Sequence, residues 1–163
     1  MSLLLKQLKE KASHLWKTII DGTTRTWTKK DMRRQWWNSI LEEARKDKDI
    51  IVLTGDLGFG FCEQFQRELP NQFINVGIAE QNMIGVATGL AIAGKKPYCY
   101  SGKVFINYRC LEQIRDAWMQ GLDVKVVGAG VSGFLGFTHN FTKKEREPLK
   151  HLAKLLKKTY IRL

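Results

Sequence analysis

The chain has 163 residues, a formal net charge of +11 and a hydrophobic content of 44%. These values fit one domain with a buried core, and they exclude a disordered chain as the default. No apolar run approaches the roughly 18 residues of a membrane span, and the start, MSLLLKQLKEKASHLW, lacks the charge order and cleavage site of a signal peptide. We therefore expect a cytoplasmic protein with no membrane span, whose cysteines stay reduced.

Residues 3–20 place apolar side chains at helical spacing, and the polar run after Gly22 is typical of a linker. We therefore assign residues 1–27 to an N-terminal helical extension and linker, and residues 28–163 to the folded domain. Thr28 is the predicted N-cap of the domain's first helix.

Short buried-strand patterns then alternate with helical patterns along the domain. The strands are predicted at 50–53, 73–76, 98–100, 124–127 and 159–162, and the helices at 62–69, 79–93, 105–120 and near 145–157. This alternation predicts an α/β fold with a mostly parallel sheet and helices on both faces. Ligands of such sheets bind beyond the carboxyl ends of the strands, which here are 54–60, 77–82, 101–105 and 128–139.

Glu80 lies in one of these ends, where a Gly turn leads from a buried strand into a helix rich in Gly and Ala. A carboxylate in the first turn of a helix is favoured by the helix dipole by about 0.3–1 kcal/mol, which alone explains a Glu here. No acidic cluster has metal-ligand spacing, so we predict no metal site on this chain.

The amino-acid sequences of four segments add information about function. IIVLTGDLGFG, FINVGIAEQNMIGVATGLAIAGKKPY, YSGKVFINYRCLEQIRD and VKVVGAGVSGFLGFTHN follow one another over about residues 28–142. In this order and spacing they resemble the pyrimidine-binding domain of transketolases and the corresponding domain of deoxyxylulose-phosphate synthases. The resemblance implies a thiamine-diphosphate enzyme that transfers ketol or aldehyde groups.

The resemblance also implies roles for individual residues. Glu80 would hydrogen-bond the N1′ atom of the cofactor's aminopyrimidine and so help to remove the thiazolium C2 proton. Phe105 would stack on the aminopyrimidine, and His139 would face cofactor and substrate as a second catalytic residue. Gly77 and Asp56 join the cofactor-binding set, although Asp56, in the family's Asp-Leu-Gly turn, is also expected to have a structural or interface role.

Three positions depart from the family pattern. A gapless alignment puts Lys103 and Ile106 where better-known transketolases have aromatic rings, and Leu135 stands where many relatives have an Asp that reads a sugar hydroxyl. Phe105 and His139 also have simpler explanations, as a core residue and as a surface loop residue. These departures favour non-catalytic use, whereas the intact Glu80 segment favours catalysis.

The family's diphosphate-binding mark, Gly-Asp-Gly with a later Asn, does not occur in the sequence. The resemblance therefore implies that this chain binds only the pyrimidine half of the cofactor, with Mg²⁺ on a partner chain. We predict a subunit of a split transketolase-like enzyme, inactive as an isolated chain. The alternatives are a non-catalytic binding, regulatory or structural module and a truncated product.

The expected partners are copies of this chain, a chain with the diphosphate-binding domain, or both. The helix at 79–93, with its small residues, is the predicted contact. Much of the positive charge lies in the two ends of the chain, where solvated helix faces are the simplest explanation. Nucleic-acid binding, with Trp16 or Trp27 stacking on bases, is the less favoured alternative.

Overall fold

The computed structural model describes residues 29–130, 140–142, 144–145 and 160–162. The predicted helix at 3–20, the linker, the Thr28 N-cap and His139 lie outside the described residues. Of the helix predicted near 145–157, the structure describes only the beginning.

The described elements follow the predicted order. They are α1 (Lys29–Lys46), β1 (Ile50–Thr54), α2 (Glu63–Glu68), a 3₁₀ turn (Pro70–Gln72), β2 (Phe73–Asn75), α3 (Glu80–Ile92), β3 (Lys96–Gly102), α4 (Lys103–Tyr108), α5 (Leu111–Met119), β4 (Lys125–Ala129) and β5 (Tyr160–Arg162). Each predicted strand exists, with bounds that differ by one or two residues.

The sheet has the strand order β2-β1-β3-β4-β5, and every neighbouring pair is parallel. The predicted α/β fold with a parallel sheet is therefore confirmed. From β1 the chain first adds β2 on one side and then crosses back to add β3 on the other. The carboxyl ends of β1 and β3 thus form the point where the winding reverses, and such points are the usual ligand sites of parallel sheets.

Helices cover both faces of the sheet because successive strand residues point to opposite sides. Ile50 and Val52 of β1 pack against α1 and α2, whereas Ile51 and Leu53 pack against α3, α4 and α5. The first layer includes an aromatic cluster, in which Trp36 stacks on Tyr100 at a centroid distance of 5.2 Å.

The prediction of one continuous helix at 105–120 was wrong. The chain forms α4 directly after β3 and then α5, with Arg109 and Cys110 between them. The two halves pack mainly on different neighbours: α4 lies chiefly against β3 and β4, and α5 chiefly against α3. Cys110 is fully buried at the break, and Arg109 is left at the carboxyl edge of the sheet.

Candidate active site

Glu80 begins α3 at the winding reversal. Gly77 adopts a φ of 73°, a conformation that favours glycine, and turns the chain from β2 toward the helix. The first helical residue, Glu80, is then 3% exposed, although carboxylates are rarely buried. A buried carboxylate needs partners, and the end of β3 and the break between α4 and α5 provide them.

Two side chains hold the Glu80 carboxylate. Ser101, near the end of β3 and fully buried, donates from Oγ to Oε1 over 3.1 Å. Arg109 donates from Nη1 to Oε2 over 3.0 Å and forms a salt bridge, with its own side chain 49% exposed. The carboxylate is thus fixed from the inside by a hydroxyl and from the outside by a cation.

Gly55, directly after β1, leaves room for Glu80. A β-carbon at this position would lie 3.2 Å from Glu80 Cγ and 3.4 Å from Ser101 Oγ. The first distance is tighter than an ordinary van der Waals contact, so any larger residue would push against the Glu80 side chain. The close approach of the β1 backbone therefore helps to set the position of the carboxylate.

Phe105 lies beside this group in α4 and is half-buried. The guanidinium carbon of Arg109 is 4.2 Å from the centre of the Phe105 ring, in cation–π contact. One Arg side chain therefore contacts both Glu80 and Phe105, the two residues predicted to hold the aminopyrimidine. Ile106, the alternative aromatic position, is fully buried in the core and does not line this site.

Asp56 and Gly77 are joined by Asn75, the last residue of β2. Asn75 Oδ1 accepts hydrogen bonds from the backbone N–H of Asp56 (3.1 Å) and of Gly77 (3.0 Å). Asn75 Nδ2 in turn donates to Asp56 Oδ1 over 3.2 Å. Asp56 has a φ of 54°, which is uncommon for a non-glycine residue. These contacts fix the two turns that border Glu80, in agreement with a structural role for Asp56.

Lys103 is also buried at this edge, with only 7% of its surface exposed. A β-carbon added to Gly130 would lie 2.7 Å from Lys103 Nζ and 2.5 Å from Asn140 Oδ1. The chain therefore leaves β4 at Gly130 and returns at Asn140 to the same place, next to α4. Phe141 and Tyr108 continue this contact, with ring centres 5.6 Å apart. The neighbour of His139 thus lies at the site's edge, while His139 itself is outside the described residues.

Cys110 lies next to Arg109 and behind the site. Burial, with the nearby Glu80 charge as a second cause, raises the pKa of its thiol to about 12. Burial also raises the pKa of Cys99. These thiols are therefore protonated near neutral pH and poor nucleophiles.

Among the residues that the structure describes, no three His, Cys, Asp or Glu side chains form a group that could hold a metal ion. No helix in the same part of the chain is both long enough and apolar enough to cross a bilayer.

The structure thus brings Glu80, Phe105, Gly77 and Asp56 to one edge of the sheet. Four further residues of this edge were not predicted from the sequence: Ser101, Arg109, Gly55 and Asn75. Ser101 and Gly55 fall inside the strand ends that were predicted to bind ligands, so position could have indicated them. Arg109 fell inside a predicted helix, and only the break between α4 and α5 brings it to Glu80.

The transketolase pyrimidine-binding domain family matches residues 28–146. A subunit of the apulose-4-phosphate transketolase of Phocaeicola vulgatus is 41% identical over 113 residues, which are 66% of this chain and 36% of the relative. A 1-deoxy-D-xylulose-5-phosphate synthase of Bacillus cereus is 34% identical over 106 residues, 61% of this chain and 17% of the relative. The chain spans about a third or less of the length of these relatives.

Among solved structures, a split-gene transketolase described as an inactive β4 tetramer matches with a TM-score of 0.62 and 28% identity. The match covers 80% of this chain and 50% of that one. Sequence and structure comparisons therefore agree with the resemblance found in the four sequence segments.

Proposed function

The chain belongs to the transketolase pyrimidine-binding domain family, and from this premise we propose that it is the pyrimidine-binding subunit of a split transketolase-like enzyme. A relative named as one subunit of a transketolase and a structural match described as a split-gene transketolase support this proposal. The reaction would be a ketol or aldehyde transfer that depends on thiamine diphosphate. A separate chain would supply the diphosphate-binding domain with its Mg²⁺, and this chain alone would be inactive.

The observation that carries the proposal is the buried carboxylate of Glu80 at the winding reversal of the sheet. Ser101 holds one carboxylate oxygen. A planar N–H donor group, the Arg109 guanidinium, already fits between the other oxygen and the Phe105 ring. The site therefore suits a flat nitrogen heterocycle. When bound, thiamine diphosphate supplies a thiazolium carbon that can carry negative charge, and the protein supplies orientation and polarity.

Within this site, Glu80 would hold the proton at N1′ of the aminopyrimidine. Ser101 would keep one carboxylate oxygen in place, and Phe105 would stack on the ring. Gly77 and Asp56 would shape the turns around the ring. His139 would face the reacting end of the cofactor, supported by the position of its neighbour Asn140 beside Gly130 and Lys103.

The chain would form homo-oligomers, contact the diphosphate-binding chain, or do both, through the exposed side of α3. That side carries Gly85 and Gly89, which leave space for a second backbone, and Ile92, which is 66% exposed. Ile78, directly before the helix, is 78% exposed. We place the complex in the cytoplasm. Light scattering that finds a strict monomer at high concentration, together with failure to capture a partner chain, would contradict this part.

A non-catalytic module is the second candidate. Lys103 favours it, because a buried lysine occupies a position where the gapless alignment expects an aromatic ring. The two candidates differ in one respect that can be measured, since only the catalytic subunit needs Glu80 as an acid or base.

The test is hydrogen–deuterium exchange at C2 of thiamine diphosphate in the complex reconstituted with the diphosphate-binding chain. An amide cannot exchange a proton with N1′, so Glu80→Gln is expected to slow the exchange by about 100-fold or more. Glu112→Gln, at an exposed carboxylate in the first turn of α5, is the matched control and should leave the rate unchanged. Equal rates for wild type and Glu80→Gln would remove Glu80 from the chemistry and favour the non-catalytic module.

A further inference from the structure

The Arg109 guanidinium occupies the space between the two residues that the proposed function assigns to the aminopyrimidine. It lies over the face of Phe105 at 4.2 Å and donates to Glu80 Oε2 over 3.0 Å. An aminopyrimidine bound as proposed would make the same two contacts, a stacked face on Phe105 and an N–H edge on Glu80. Two planar groups cannot lie on that face of Phe105 and donate to Glu80 Oε2 at the same time.

We propose that Arg109 is an autoinhibitory occupant of the pyrimidine site, whose guanidinium must swing away before the pyrimidine ring can bind. This inference rests on the proposed function of the Glu80 site. The chemistry of the two groups is alike, because a guanidinium is flat, stacks on aromatic rings and presents N–H donors in its plane to a carboxylate. Arg109 thus satisfies the buried carboxylate in the same way as the ring would.

The position of Arg109 allows this movement. It lies in the break between α4 and α5, and its side chain is 49% exposed, whereas that of Glu80 is 2% exposed. The guanidinium can therefore leave toward water while the carboxylate stays in place. Ser101 Oγ remains on the other carboxylate oxygen throughout, so Glu80 keeps its orientation during the exchange.

Occupation of the site by Arg109 lowers the apparent affinity for the cofactor. If Arg109 fills the site about nine-tenths of the time, only a tenth of the molecules can accept a ring, and the apparent affinity falls about tenfold. A partner chain that draws Arg109 away would restore the full affinity. The cofactor would then bind to the assembled complex in preference to the free subunit.

A purely structural salt bridge makes the opposite prediction. In that case Arg109 would help to orient Glu80 for the ligand, so its removal would weaken pyrimidine binding or leave it unchanged. The sign of the affinity change therefore separates the two explanations.

The experiment titrates the full chain with free 4-amino-5-hydroxymethyl-2-methylpyrimidine and follows binding by NMR. Arg109→Met removes the planar cation but keeps an extended side chain, and we expect it to bind the pyrimidine about tenfold more tightly than wild type. Arg109→Lys keeps the positive charge but lacks the planar guanidinium, so its affinity for the pyrimidine should increase less. Arg115→Met is the control, because Arg115 forms an exposed pair with Asp116 in α5, and it should bind as wild type does. Thermal unfolding of each variant verifies that it is folded.

Glu80→Ala, alone and combined with Arg109→Met, separates the inference from its premise. If wild type and Arg109→Met bind equally, or Arg109→Met binds more weakly, while Glu80→Ala abolishes binding, the pyrimidine site stands and the autoinhibitory role of Arg109 is refuted. If no variant binds the pyrimidine, or if Glu80→Ala has no effect, the pyrimidine site itself is refuted and the inference with it.

Discussion

Gln72 and Glu80 lie at opposite ends of β2, and each is a polar side chain buried in a small domain. Gln72, 8% exposed, donates from Nε2 to the backbone carbonyls of Ala44, Asp47 and Ile50 at 2.9–3.1 Å. Glu80, 3% exposed, is held by two side chains, of which Arg109 reaches in from the surface. The first group is thus satisfied by fixed backbone and the second partly by a side chain that can leave.

This difference distinguishes a polar group that is held only by backbone from one whose outer partner is open to solvent. A buried donor that ties together the end of α1 and the start of β1 at the amino edge has nothing to exchange with a ligand. A buried carboxylate whose outer partner is half-exposed can trade that partner for a ligand at small cost. Burial alone therefore does not identify a candidate site; the exposure of the partner side chain is a second criterion.

The largest expected effect on stability is that of a substitution at Gln72. Gln72→Leu removes two N–H donors that are shared by three carbonyls, of which those of Ala44 and Ile50 are buried. Each buried carbonyl left unsatisfied costs about 1–3 kcal/mol, so we expect a loss of about 2–4 kcal/mol in the free energy of unfolding. Gln66→Leu, on the exposed side of α2, should change it by less than about 0.5 kcal/mol. Urea unfolding of both variants measures the difference, and equal small effects would remove Gln72 from its structural role.

A smaller effect is expected at the carboxyl edge. Gly55→Ala brings a β-carbon to 3.2 Å from Glu80 Cγ, and such overpacking costs about 1–3 kcal/mol. The control, Gly85→Ala on α3, has no atom within 4 Å of its new β-carbon and should gain about 0.5–1 kcal/mol from helix propensity. Opposite signs in urea unfolding would show that space is tight at Gly55 and free at Gly85. A stabilising Gly55→Ala would show that Glu80 has more space than its contacts indicate.

The smallest expected effect is that of Glu80→Gln on stability. The amide keeps the shape of the side chain and an oxygen for Ser101, and the weaker bond to Arg109 is offset because a neutral group costs less to bury. We therefore expect the free energy of unfolding to change by less than about 1 kcal/mol, although the C2 exchange should slow markedly. A loss of unfolding free energy as large as that of Gln72→Leu would show that the Glu80 carboxylate is needed to stabilise the fold.

Much of the fold could be predicted because its signals are local. Buried strands are short apolar runs such as Ile50–Leu53, and Gly94, with a φ of 83°, ends α3 as the sequence indicates. The order of strands and helices then predicts a parallel sheet, and the ligand-binding edge follows from it. The place of Glu80 at this edge could be predicted for the same reason, whereas the role proposed for it came from the family resemblance.

The remaining site residues depend on contacts between elements that are distant in the sequence. No Gly or Pro marks the break at Arg109 and Cys110, on either side of which α4 and α5 pack mainly on different neighbours. Gln72 was missed because nothing local indicates that a Gln next to a 3₁₀ turn will meet the end of α1. Its three partners belong to residues 44–50 and come close only in the folded domain.

In the proposed complex, Glu80 receives the aminopyrimidine in place of Arg109. A crystal structure of this chain in complex with its diphosphate-binding partner and thiamine diphosphate tests it directly. We predict N1′ at hydrogen-bond distance from a Glu80 oxygen, about 2.7–3.0 Å, the pyrimidine ring stacked on Phe105, and the Arg109 guanidinium displaced from both. A pyrimidine ring bound elsewhere, with the Glu80–Arg109 pair intact, would contradict the account.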